Sequence, residues 1–245
     1  MKNILELTSE EVKSFFLKQE SYCTINFPVY FNFQELLDKV DNKLKGKILS
    51  NFYGSIFDEK KQKNISTKPF SYEYVNYPLI NNKDGKYAWR HLQLIHPAIY
   101  VDLINRITEK QNWTFIVQRF GEFSFHGKIS CLSLPIQSNT DQSDKASAVQ
   151  QWWQEIEQKS IELVLDYSYL LQTDISDCYG SLYTHSIAWA LHGKDEAKEK
   201  RKDEALLGNI IDGRIRDMIY GPSNQWHSSR ECINGFYCRN GFGVC

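Results

Sequence analysis

The sequence predicts an α+β fold: a helical N-terminal segment, a β-hairpin backed by helices, and the first strand and helices of a further sheet. Three observations carry this. A capping box, Thr8-Ser-Glu-Glu11, opens an amphipathic helix. Two β-favouring runs flank the turn-forming stretch Asn81-Asn-Lys-Asp-Gly-Lys86. An apolar, β-favouring stretch, Tyr169-Leu-Leu-Gln-Thr173, then delivers Asp174 to a strand end.

The first helix is expected to run from Thr8 to about Gln19, with Val12, Phe15 and Phe16 on one face. Pro28 breaks the chain before a second amphipathic helix, Phe33 to Val40, with Leu36, Leu37 and Val40 inward. Residues 57–68 are polar and read as a loop. Tyr72 to Ile80 and Tyr87 to Ile95 form the hairpin strands, and Pro97 starts a helix with Tyr100, Leu103, Ile104 and Ile107 as its apolar stripe. Residues 113–137 read as alternating strands, Ser138 to Ser147 as a surface loop, and Ala148 to Glu162 as a helix leading into the Asp174 strand. Thr184 to Leu191 and Leu206 to Tyr220 read as helices, separated by a mixed-charge run, Lys194 to Glu204, taken as a solvated face. There is no internal repeat and no linker that divides the chain cleanly.

With 245 residues the chain is long enough to bury a core. Its net charge of −1 excludes a global basic field, so any nucleic-acid groove must come from local Lys and Arg placement. No apolar run reaches the roughly 20 residues of a membrane span. The N-terminus carries acidic residues where a signal peptide needs an apolar core. The expected compartment is the cytoplasm, and Cys23, Cys131, Cys178, Cys232, Cys238 and Cys245 are expected as thiols.

Two segments carry chemistry. In Tyr169–Leu182, Asp174 is followed by a second carboxylate, Asp177, and by the aromatic Tyr179. A carboxylate and an adjacent backbone carbonyl suit Mg²⁺, which prefers oxygen ligands in octahedral geometry. The second segment is the hairpin, where Lys83 or Lys86 at the turn and Arg90 on the returning strand can fold over a triphosphate. Arg offers a planar fork and Lys a point charge. Taken singly, Asp174 suits a turn and the lysines suit a solvated surface. The histidines show no metal-ligand spacing; His96 and His185 are expected as structural hydrogen-bonders. Trp152-Trp153 is expected in the core and at a subdomain contact. Cys178 has no histidine nearby to make it a nucleophile.

Thr173-Asp-Ile-Ser-Asp-Cys-Tyr-Gly-Ser-Leu182 resembles the first catalytic motif of reverse transcriptases, and Lys83 to Tyr100 resembles their fingers hairpin, with a longer spacing from Gly85 to Arg90. Together with Glu73 to Pro78, Trp113 and the paired tryptophans, the chain over roughly residues 5–221 resembles the prokaryotic reverse transcriptases of phage defence, akin to abortive-infection enzymes. The resemblance implies the fingers and partial palm of a right-hand polymerase: residues 1–70 a helical segment, 71–160 fingers, 161–221 the start of the palm. It implies that Asp174 and the carbonyl of Ile175 hold Mg²⁺. It further implies that Lys83 or Lys86, with Arg90, binds triphosphate, that Asp177 and Cys178 offer backbone donors to it, and that Tyr179 excludes a 2′-hydroxyl. The implied partners are an RNA template, a DNA or protein primer, deoxynucleoside triphosphates and a dedicated non-coding RNA, with no membrane.

Two further family elements, a Gly-x-Pro-Gln-Gly loop and an aromatic-x-Asp-Asp hairpin, are missing from the expected place after Tyr220. Instead residues 222–245 hold half of the cysteines and no apolar periodicity. Read one base later, the codons for Asn224 to Phe236 permit Thr-Asn-Gly-Ile-Pro-Gln-Gly-Ser-Val-Leu-Met-Asp. The Gly after Asn is forced by the single Trp226 codon and the first base of His227. The expectation is a shift of frame near Gly221–Asn224, leaving a disordered out-of-frame tail and a chain inactive by itself. The rival for the tail is a zinc site of Cys232, Cys238, Cys245 and His227, whose spacing matches no recognised knuckle.

Overall fold

The computed structural model describes residues 2–219 except 24, 26, 60, 61, 70, 71, 73, 74, 83–88, 127–131, 133, 139–143, 170, 172–182, 202, 204 and 205. Helix and strand occupy separate stretches and helix predominates, compatible with the α+β class.

The capping box forms as written. Glu11 N donates to Thr8 Oγ1 and Thr8 N to Glu11 Oε2, opening α1 (Ser9–Phe16). The helix ends earlier than the apolar pattern suggests, and a short α2 (Gln19–Tyr22) follows. The break is stabilised from outside the helix: Ser21 Oγ donates to Phe15 O and Gln34 Nε2 to Leu17 O, so carbonyls orphaned at the helix end find partners. In α3 (Gln34–Leu44) the buried residues are Leu37 and Leu44. Leu36, expected inward, is 43% exposed, because a 37/40/44 stripe leaves position 36 a full residue's rotation off the packed face.

Residues 57–68 are not a loop. β2 (Ser55–Asp58) and β3 (Lys63–Ser66) pair antiparallel, with Ile56 opposite Ile65. The backbone ladder forms there despite a polar side-chain pattern. The expected hairpin also forms, from β4 (Tyr77–Asn82) and β5 (Trp89–Leu94), but β4 starts at Tyr77 instead of Tyr72 and takes in Asn81 and Asn82, expected in the turn, because both pair with β5. α4 (Pro97–Ile107) has Pro97 in its first turn and an unbroken buried run from Ile99 to Ile104.

The expected strands over 113–137 are largely overturned. Lys110–His126 is a helix, α5, and among the described residues of that stretch only β6 (Ile136–Gln137) is strand, paired with β1 (Lys2–Asn3). The β-favouring composition of Trp, Thr, Phe, Ile and Val misled. The decisive pattern is Trp113, Ile116, Val117 and Phe120, a 3/4 spacing that lays one helical face on the core. Trp113 Nε1 donates to Leu7 O at 3.0 Å.

α6 (Asp144–Asp166) starts inside the expected loop and outruns its expected end at Glu162. Asp144 fixes its start, accepting from Ser138 N at 2.8 Å and pairing with Lys18. Of the tryptophan pair, Trp152 donates to Leu134 O, whereas Trp153 is 70% exposed and not in the core. The described residues among 167–171 include no strand, so the strand expected before Asp174 is not found there. A strand forms only with a partner ladder, and none lies beside it among the described residues. The chain resumes with α7 (His185–His192), α8 (Lys194–Glu199) and α9 (Leu207–Ile219).

One apolar cluster joins α1, α3, α4, α5, α7 and α9, with Phe16, Leu37, Leu103, Ile104, Ile116 and Ile211 among its most deeply buried members. At the α7–α9 crossing, a Cβ on Gly208 would sit 2.6 Å from Ala188 Cα. Only glycine permits that approach.

Candidate functional site

Most of the sequence-derived site falls outside the described residues: Asp174, Ile175, Asp177, Cys178, Tyr179, Lys83 and Lys86. Arg90 is placed by its backbone. It lies on β5, one pair in from the described end of the hairpin, opposite Asn81. The returning-strand position expected for it is therefore occupied. The stretch 172–182 is bracketed by α6 on one side and α7 on the other.

The root of the β4–β5 hairpin is held firmly. Asn76, just before β4, accepts from His96 N, just after β5, at 2.8 Å. The same side chain donates to Asp217 O at 3.1 Å and Met218 O at 3.0 Å, at the end of α9. Tyr22 OH donates to Ile95 O. One buried amide thus ties both ends of the hairpin to the last turn of α9. His96 Nδ1 accepts from Ala98 N and caps α4, and burial pushes its pKa down. A cap that must accept is compatible with the neutral ring alone, as is a position at a helix N-terminus.

Behind the hairpin a charged network crosses the core. Asp102, 2% exposed, accepts from Leu49 N at 2.7 Å and from Arg214 Nε at 2.6 Å. Arg214 also donates to Tyr53 OH at 2.9 Å and Asp217 Oδ2 at 3.1 Å. Burial raises the pKa of Asp217 and Tyr53, and Arg214 opposes both shifts. For Arg214 burial works against the charge, but Asp102 and its neighbours prevail and the pKa rises. With its guanidinium so engaged, Arg214 is a strut and not a phosphate hook. A second pair, His185 Nδ1 with Asp212 Oδ2 at 2.9 Å, joins α7 to α9, as the structural role expected for His185 requires.

Sequence reasoning missed Asn76 and the Asp102–Arg214–Asp217–Tyr53 network. One signal was present: Asp102 interrupts an otherwise apolar stripe on α4, and a buried carboxylate demands a partner. Among the described residues no group of three or more His, Cys, Asp or Glu side chains is placed to hold a metal ion, and no helix is long and apolar enough to cross a membrane. No protein-family model and no curated protein matches the chain.

Proposed function

We propose that residues 1–221 are the fingers and the start of the palm of an RNA-directed DNA polymerase of an antiviral defence system, acting in the cytoplasm. The observation that carries the reading is the order of parts around the hairpin. Arg90 sits on the returning strand, His96-Pro97 turns directly into a buried helix, and Asn76 locks the hairpin root to α9. A clamp over a triphosphate needs such a fixed base, because positioning supplies much of the rate in phosphoryl transfer.

On this reading Asp174 and the carbonyl of Ile175 hold Mg²⁺, which when bound polarises the phosphoryl oxygens and clamps attacking and leaving groups. Lys83 or Lys86, with Arg90, carries the triphosphate. Backbone donors at Asp177 and Cys178 orient it, and the ring of Tyr179 blocks a 2′-hydroxyl. The partners are an RNA template, including a dedicated non-coding RNA, a DNA or protein primer, and deoxynucleoside triphosphates. Residues 222–245 are out of frame, and the chain alone does not polymerise.

The test restores the frame after Gly221. The restored protein is expected to add deoxynucleotides to an oligo(dT) primer on poly(rA) with Mg²⁺. Asp174→Asn should abolish the addition, and Tyr179→Ala should admit ribonucleotides. A restored protein whose activity survives Asp174→Asn contradicts the assignment. A second reading is a non-catalytic RNA-binding or regulatory fragment, which predicts salt-dependent RNA binding that Asp174→Asn leaves unchanged.

A further inference from the structure

The two halves of α6 differ in what covers them. In the N-terminal half Asp144 pairs with Lys18, and Trp152 Nε1 donates to Leu134 O. From Ile156 to Tyr169 every residue except Ser160 is exposed. Tyr167 N still donates to Leu163 O, so the helical path continues one residue past Asp166. This free half is about 18 Å long.

Its apolar residues fall on one line. Val149, Trp153, Ile156, Ser160, Leu163 and Tyr167 alternate steps of four and three residues, the spacing of a coiled-coil seam. On a helix these positions and Val164 share about a third of the circumference. The six apolar side chains among them are each at least 41% exposed. Ser160, the polar member, donates from Oγ to Ile156 O at 2.7 Å, so covering the seam strands no hydroxyl. Ile161 and Leu165 lie on the opposite side, outside the seam.

We infer that this seam binds a second copy of the chain as a short antiparallel two-helix coiled coil, centred between Ile161 and Glu162. In that register Ile156 meets Tyr167 of the second copy, and Ser160 meets Leu163, small against large. Beside the seam, Lys159 faces Asp166 of the second copy, and the twofold axis repeats the pair. On the other side Glu157 faces Val164, so no like charges oppose. The last turn of α6 holds Asp166 and no basic residue, and the helix dipole disfavours a carboxylate there. Lys159 of the second copy supplies the missing cation; in its own chain Lys159 pairs with Glu162 at 2.8 Å and can bridge both. Parallel pairing would set the two bodies side by side and give Asp166 no cation. An anionic membrane or a nucleic acid fits less well, because Lys159 is the one cation among Glu155, Glu157, Glu162 and Asp166. The inference goes beyond the polymerase reading and concerns this chain as it stands; on that reading the remainder of the palm competes for the same helix.

The experiment is sedimentation equilibrium of the full chain, under reducing conditions, over a concentration series. A monomer–dimer equilibrium is expected. Leu163→Glu should raise its Kd more than about tenfold, since a charge would be buried in the seam. Ile161→Glu, outside the seam, should leave it unchanged. K159D and D166K should each weaken the dimer on the order of tenfold, because attraction becomes repulsion at two symmetric contacts. The double variant K159D/D166K should restore it. Far-UV circular dichroism should match the parent throughout, since every substituted position is exposed. A chain that is monomeric at all concentrations overturns the inference, whether or not it binds phosphatidylcholine vesicles instead. A dimer indifferent to Leu163→Glu overturns it as well, as does a double variant no tighter than either single one.

Discussion

Two helices that each carry a run of apolar residues meet opposite fates. α4 buries every residue from Ile99 to Ile104, and even its carboxylate, Asp102, is neutralised by Arg214 from a helix far along the chain. α6 is the longest described helix, yet Ile156, Ile161, Leu163, Val164 and Leu165 are exposed, the last at 82%. A helix apolar on several sides belongs inside a larger body. α4 has neighbours on every side, whereas the C-terminal turns of α6 have none among the described residues to cover them. On the proposed reading that uncovered face is where the remainder of the palm packs. Apolar residues are thus covered in the one helix and left open, among the described residues, in the other.

The contrast is broken most severely at its charged centre. Arg214→Ala leaves Asp102 buried without its cation, and urea denaturation should show a loss of about 3–5 kcal/mol. Arg214→Met, which keeps most of the side-chain volume and loses only the charge, should cost less than the alanine variant because it leaves a smaller cavity. Next comes a direct comparison of the two helices. Ile104→Ala should cost about 2–5 kcal/mol through its cavity, while Val164→Ala should stay within about 0.5 kcal/mol. Equal costs would mean that α6 is covered after all. At the α7–α9 crossing, Gly208→Ala forces backbone apart and should cost about 1–3 kcal/mol.

The smallest effect is pH-dependent. His192 Nε2 accepts from Gly208 N at 3.0 Å, and burial, partly offset by Glu196, lowers its pKa from the ordinary 6.5. The folded state therefore binds fewer protons than the unfolded one below pH 6.5. The stabilising contribution is complete above 6.5 and declines as pH falls from there through the folded pKa. His192→Gln should flatten that part of the stability profile relative to the parent; parallel profiles would deny the role. His96, also lowered by burial, adds a component of the same sign that both proteins share.

What the sequence disclosed depended on distance along the chain. The Thr8–Glu11 cap, the Pro97 helix and the 77–94 hairpin rest on contacts within a few residues, and all three formed. α5 went unread because its residue types favour strands while its spacing favours a helix, and tertiary packing of Trp113 and Ile116 settled the conflict. The β2–β3 hairpin was invisible because its pairing is a backbone matter. Arg90 fell on the strand expected, but its anchor was hidden: Asn76 and Asp217 are 141 residues apart. No local pattern signals such a bond. The motif at Asp174 was legible only as a resemblance, and its residues lie outside those the structure describes.

The central claim is that this chain is the front of a polymerase whose frame is lost near Gly221. The most direct measurement is the gene's DNA sequence from the Leu206 codon to well past the Cys245 codon, read in all three frames. The account predicts that one frame continues through Gly-x-Pro-Gln-Gly to an aromatic-x-Asp-Asp block. If no frame continues that way, the polymerase reading is contradicted and the RNA-binding fragment takes its place.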